Sequence, residues 1–381
     1  MAKTKGAKQK IQAPKGTKRK AQKPSSPPPR KQKAQKTEQD TEETKPAPRP
    51  IEDAVALLTS DELARIRYGD GYPFNLWDRK IGDWLVKSND EIGRELRNEI
   101  SIRRWVDYFG VENVKDVKHL SDDQKKKIIS SLDGWCVQIP WNSLLNRFPF
   151  CVKKDFTKYL LCVLIEKDIV TKMYDNPFWY LDGKKGPDDE EGDETFGQRL
   201  KYLLDRFVEA DPGDASLLRS DISRLANGTL PCQVRSGVWG KYHAERRTRQ
   251  VEQWAADFIA SEPACWLLRQ NNTFSEQDRH EILTDIYRWS AEKWAHISSL
   301  RGNYNFYQLP DLGKTFNKES GLVKRANDHV PPFGDESVEG MRILLVVCGG
   351  IRVQWENPDQ GDEFYVCAKA SVLAQEKTMY H

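Results

Sequence analysis

Acidic residues are missing from the first 36 positions, where 13 lysines and arginines stand without one Asp or Glu. Large apolar residues are nearly missing there too, with only Ile11 between Lys3 and Lys36. Such a segment cannot bury enough surface to offset the entropy of ordering itself, so residues 1–50 are expected to form a disordered basic tail. Long hydrophobic runs are absent throughout. The longest, Tyr159 to Ile165 and Ile343 to Cys348, fall far short of the about 20 residues a bilayer requires. The start of the chain also lacks an apolar stretch between its charges, which argues against a secretory signal and against a membrane partner. The seven cysteines (Cys136, Cys151, Cys162, Cys232, Cys265, Cys348, Cys367) show no C-x-x-C spacing and are expected as reduced thiols inside a cell. Only six histidines are present, and no Cys/His cluster is visible along the chain, so neither a metal nor a cofactor is expected.

What is present is a division of charge. Residues 1–50 hold 15 basic and 4 acidic side chains, whereas the remainder holds 45 and 53, so a positive tail is joined to a negative body. Within the tail, Lys18, Arg19 and Lys20 belong to one basic cluster and Arg30, Lys31 and Lys33 to another. Pro27 to Pro29 between them keep both extended. Lysine-rich clusters of this kind suit nuclear import and salt-sensitive contact with the phosphates of DNA or RNA. The densest arginine group of the body, Lys241, Arg246, Arg247 and Arg249, is interleaved with Tyr242 and His243 at the start of a predicted helix. The backbone dipole disfavours cations at that end, so either a phosphate backbone or nearby carboxylates must offset them.

The hydrophobic pattern predicts a mainly α (α+β) protein: a helical bundle with a small C-terminal β-hairpin or three-stranded element. After the tail come an N-terminal helical domain over 51–181, an acidic loop or linker at 182–194 and a second helical region over 195–300. A long loop over 301–340 and a β-rich element over 341–381 follow. Thr59 with Glu62, Ser88 with Glu91 and Ser121 with Gln124 have capping-box spacing. The second box opens a helix whose buried stripe is Ile92, Leu96, Ile100, Trp105 and Phe109, and the third opens one that buries Ile128, Ile129 and Leu132. Phe156 to Val170 is apolar on all sides and reads as a central helix. Helices are expected over 196–210, 215–226, 245–260 and 276–300, the last with Ile282, Ile286, Trp289 and Ile297 on one face. Met341 to Val347 and Ile351 to Trp355, joined by Gly349 and Gly350, read as a hairpin, and Phe364 to Ala368 as a third strand.

Local catalytic signals are weak. Gly313, Lys314 and Thr315 end like a phosphate-binding loop, but Gln308 stands at the first glycine position and an ordinary turn is expected. His280 and Glu281 begin a zinc-helix motif that Thr284 leaves incomplete. No G-x-S-x-G elbow occurs. The aromatic run Phe178, Trp179 and Tyr180 would be a partner-binding hot spot if exposed. The function that fits these features is a nuclear, non-enzymatic regulatory or adaptor protein, possessing a basic arm for import and nucleic-acid attachment and a helical body that binds protein partners. The alternatives are an enzyme with a site assembled from distant residues in the cleft between helices and C-terminal strands, and a host-directed effector. A pocket where a His, Cys or carboxylate pair converges would favour the enzyme.

Overall fold

A computed structural model describes residues 89–227, 238–270, 274–330, 334–354 and 364–377. The basic clusters of the tail and the helix expected after Thr59 lie outside these residues. The described chain is mostly helical with two small three-stranded sheets near its C-terminal end, an α+β arrangement. No described helix is long and apolar enough to cross a membrane.

The helical stripe from Ile92 to Phe109 is divided. Helices α1 (Asn89–Leu96) and α2 (Glu99–Phe109) are separated at Arg97 and Asn98. Buried Asn98 turns inward there, and its Nδ2 donates to Ile286 O at 3.1 Å and Ser290 Oγ at 3.0 Å. The break resets the helical phase. Ile102, Trp105, Val106 and Phe109 become the inner face of α2, while Ile100, expected in the core, is 72 % exposed. Helix α3 (Asp122–Ser131) begins as its sequence dictates: Gln124 N donates to Ser121 Oγ at 3.2 Å, and Ser121 N donates to Gln124 Oε1 at 2.9 Å.

Short helices α4 (Trp141–Arg147) and α5 (Phe150–Lys153) lead into α6 (Phe156–Ile169), which continues through a π-helical turn at Val170–Tyr174. Apolar side chains surround α6 on every side because it lies between α2 and the strand Ile343–Cys348. Helices α7 (Phe196–Ala210), α8 (Pro212–Asn227), α9 (Val238–Ala260) and α10 (Glu276–Ser298) follow. The buried face of α10 is Leu283, Ile286, Tyr287, Ala291, Trp294 and Ile297, rotated from the expected one. Ile282 is exposed and Trp289 half-buried. Tyr287 takes the inner place because its hydroxyl finds Asp168 Oδ2 at 2.6 Å, so the ring is buried without orphaning its polar tip.

The strands correct the hairpin expectation. β1 (Asn303–Tyr307), β4 (Gly350–Gln354) and β5 (Phe364–Ala368) form one antiparallel sheet in the order β1-β4-β5. β2 (Val323–Arg325), β6 (Ala370–Ala374) and β3 (Ile343–Cys348) form the other, ordered β2-β6-β3, with β2 parallel and β3 antiparallel to β6. The segment 301–340, expected as a long loop, thus carries β1 and β2. Strands β3 and β4 are consecutive yet pair in different sheets, and Gly349 steps the chain from one to the other. Gly350 is needed for close approach, because a Cβ there would fall within the Tyr307 ring on the neighbouring strand. β3 and β6 are buried along their whole length, so neither alternates polar with apolar residues. Val137 N and Val346 N bond across the free edge of β3, to Leu344 O and Trp135 O. The main core draws on α1 through α6, α9, α10 and both sheets, and a smaller one gathers around Phe178, Tyr180 and Leu204.

Candidate functional site

The two residue groups singled out in the body meet, but they meet each other. Phe178 and Tyr180 are 1 % exposed and belong to the smaller core, while half-buried Trp179 packs on Trp254 with ring centroids 4.6 Å apart. Arg246 Nε donates to Tyr180 O at 3.2 Å, and the Arg247 guanidinium lies over the Tyr180 ring at 5.4 Å. The aromatic run is therefore interior packing, not a surface hot spot. Helix α9 is already formed at Val238, which places Arg246 and Arg247 beyond its first turns, and carboxylates of the acidic loop offset the Arg246 charge. Arg246 sits 3.4 Å from buried Asp182 Oδ2 and 2.5 Å from Glu194 Oε2. Burial alone would raise the Asp182 carboxyl, but the Tyr242 hydroxyl at 2.8 Å, the Lys184 amide and Arg246 outweigh it and hold the group below its ordinary range. Burial pushes the neighbouring His243 imidazole down, and its Nδ1 faces Trp239 O at 2.9 Å. Of the cluster, Lys241 and Arg249 remain on the surface. The tail residues Lys18, Arg19, Lys20, Arg30, Lys31 and Lys33 lie outside the described residues.

A different constellation emerges where α2, α6 and the segment after β2 converge. They enclose a cleft of about 400 Å³, within the size range of small-molecule sites. Arg103 on α2 is its hub: Nε lies 3.4 Å from Asp107 and 3.6 Å from Asp328, and Nη2 lies 3.3 Å from Asp155. Its guanidinium also covers the Tyr159 ring at 4.7 Å, and the Tyr159 hydroxyl donates to Asp328 Oδ2 at 3.2 Å. Burial works against the Arg103 charge but is outweighed by its neighbours, Asp107 and Asp328 among them, which hold the guanidinium charged.

At the same cleft stands Glu166, 6 % exposed, the one charged residue on the buried surface of α6. Enclosure pushes its carboxyl from 4.5 up to about 7, aided by the nearby Glu99 carboxyl and opposed by the Cys348 thiol, which donates to Oε1 at 3.4 Å. A carboxyl with this value both holds and releases a proton near neutrality, which is what general acid–base chemistry needs. Glu99, the second carboxyl of the pair, is half-buried and accepts from Ser371 Oγ at 3.1 Å. Two carboxyls in unlike settings are the usual arrangement for dividing acid and base roles. Burial also pushes the Cys162 thiol up to about 12, so it supplies no nucleophilic thiolate.

These residues stay hidden in the sequence because the contacts that bring them together span separations from 52 to 272 positions. One signal was available: a glutamate within a helix apolar on all sides must be paired, neutralised or functional. Among the described residues one cluster has metal-ligand chemistry, Cys151, His329 and Glu376. The six described cysteines are all free thiols. No family model matches this chain, nor does any curated protein or solved structure, so its own geometry carries the functional reading.

Proposed function

We propose that the cleft between α2, α6 and the segment 326–328 binds a small amine-bearing molecule and that Glu166 exchanges a proton with it. The carrying observation is a nearly enclosed carboxyl on the wall of a cleft whose charged lining residues are mostly acidic. Among the lining residues Glu99, Asp107, Asp328 and Glu166 outnumber Arg103 and Arg104, and three carboxylates already surround Arg103; Lys158, 3.0 Å from Asp107, and Arg97, 4.0 Å from Glu99, pair with two of the carboxylates without lining the cleft. A cationic guest restores balance there, whereas an anionic guest meets like charge. A carboxylate beside a bound ammonium group is placed to remove its proton and so unmask a nucleophilic amine.

Calorimetric titration of the full chain and of Glu166→Gln, against small amines and matched carboxylates in two buffers of different ionisation enthalpy, tests this reading. Amines should bind with a buffer-dependent heat that Glu166→Gln abolishes, and carboxylates should not bind. Absence of amine binding, or proton exchange that persists in Glu166→Gln, would refute it.

A second reading concerns the tail and rests on the charge division of the sequence. In it, residues 1–50 serve nuclear import and phosphate attachment while the negative body engages protein partners. Deleting residues 1–50 should disperse a tagged chain from the nucleus and remove the salt dependence of its retention on DNA or RNA. An undisturbed distribution together with unchanged retention would end this reading.

A further inference from the structure

We infer that Cys151, His329 and Glu376 form a binding site for a zinc-class divalent metal ion. Cys151 lies on α5, His329 follows β2, and Glu376 follows β6, so the site joins three elements far apart in sequence. One ligand atom from each lies within 4.8 Å of the other two. Cys151 Sγ is 3.6 Å and His329 Nε2 is 3.4 Å from the same oxygen, Glu376 Oε1. Metal–ligand bonds of about 2.3 Å to sulfur and about 2.0 Å to nitrogen and oxygen, arranged tetrahedrally, give ligand separations of about 3.5 Å and about 3.3 Å. The observed edges match both.

The second observation is His329 itself. It is 0 % exposed; Nδ1 has no hydrogen-bond partner, and Nε2 has only the Glu376 carboxylate, 3.4 Å away. A fully buried imidazole with so little hydrogen bonding is costly, and a metal ion placed between it and the carboxylate would accept its lone pair. The loop carrying it is fixed from behind, where Arg325 bonds both His329 O and Asp335.

The same three residue types could instead suggest a nucleophilic triad, but their order is wrong. In a triad the imidazole stands between nucleophile and carboxylate. Here Glu376 stands between the other two, its Oε1 within 3.6 Å of Cys151 Sγ and 3.4 Å of His329 Nε2. Converging on one point is the geometry of ligands. Three protein ligands leave a fourth position, and Glu376 borders a cavity of about 510 Å³ with Phe148, Phe150 and Lys153, which provides an entry path.

The test uses the full chain, freed of metal by chelator dialysis and titrated with zinc against a chromophoric chelator, then with cobalt. Expected are one equivalent of tightly held ion, a near-ultraviolet thiolate-to-cobalt band and the intense visible absorption of tetrahedral cobalt. Cys151→Ser should abolish the thiolate band. His329→Ala and Glu376→Gln should each weaken zinc affinity more than about 100-fold, beyond the cost of losing an outer-sphere partner. Cys367→Ser, at a buried thiol elsewhere, should change neither. Because His329→Ala opens a buried site, Glu376→Gln is the control that keeps shape and hydrogen-bonding size. Retention of wild-type affinity by Glu376→Gln and Cys151→Ser, or cobalt binding without a thiolate band, would overturn the assignment. Glu166→Gln should leave stoichiometry intact, so this result stands apart from that for the cleft.

Discussion

Replacing Glu166 by glutamine isolates the cost of keeping a carboxyl in the cleft wall. In the folded chain this group titrates at about 7 against an ordinary 4.5. At about 1.4 kcal/mol per pH unit, ionising it in place costs about 3 kcal/mol more than in the unfolded chain. Below pH 4.5 both states hold the proton and no penalty exists. Between 4.5 and about 7 the unfolded state alone has released it, so the folded state binds more protons and stability falls as pH rises. Above about 7 the full penalty stays constant. Glutamine matches the size, remains neutral at every pH and still accepts from the Cys348 thiol. Urea unfolding of both proteins at intervals from about pH 5 to about pH 8 should show the wild type losing about 2.5 kcal/mol relative to Glu166→Gln across that range. Parallel curves would mean that the carboxyl titrates normally, and the acid–base reading of the cleft would fall with it.

Asp182→Ala should destabilise by about 3 kcal/mol at neutral pH, because it leaves the Arg246 guanidinium and the Tyr242 hydroxyl without their shared acceptor. Since the folded Asp182 titrates below its ordinary 3.8, the wild-type advantage should persist above that value and shrink as pH falls through the lower folded value; an advantage independent of pH in acid would contradict this. Gly350→Ala should cost about 2 kcal/mol or more through overlap with the Tyr307 ring, whereas Gly321→Ala, where a Cβ meets open space, should be nearly neutral; comparable melting temperatures for the pair would refute the close approach. Phe178→Ala should lower stability by about 3 to 5 kcal/mol as measured by chemical denaturation, a core effect; a surface-sized change below about 0.5 kcal/mol would restore the partner-binding reading.

Pattern and capping fixed the local structure well. The Ser121–Gln124 box starts its helix, α6 is surrounded as its uniform apolarity demands, and α7 spans the expected residues. These features arise from interactions over three or four positions, which the chain order itself specifies. Ile100 and Ile282 show where local reasoning stops: each fits an apolar stripe, yet the phase of that stripe was set by buried Asn98 and Tyr287 finding partners on other elements.

The charge division between tail and body, the lack of a membrane-length helix pattern and the helical majority were determined by the sequence alone, since composition and short-range periodicity are additive along the chain. Tertiary structure decided the rest. It placed β3 and β4 in separate sheets, with Gly350 packed against the Tyr307 ring of β1, and it turned Arg246 and Phe178 from surface candidates into internal partners. It also brought Arg103, Glu166 and Asp328 to one cleft, and Cys151, His329 and Glu376 to one point. Distances across space and the loss of water around a carboxyl exist only once the chain has closed on itself, and those two quantities set the chemistry of both sites.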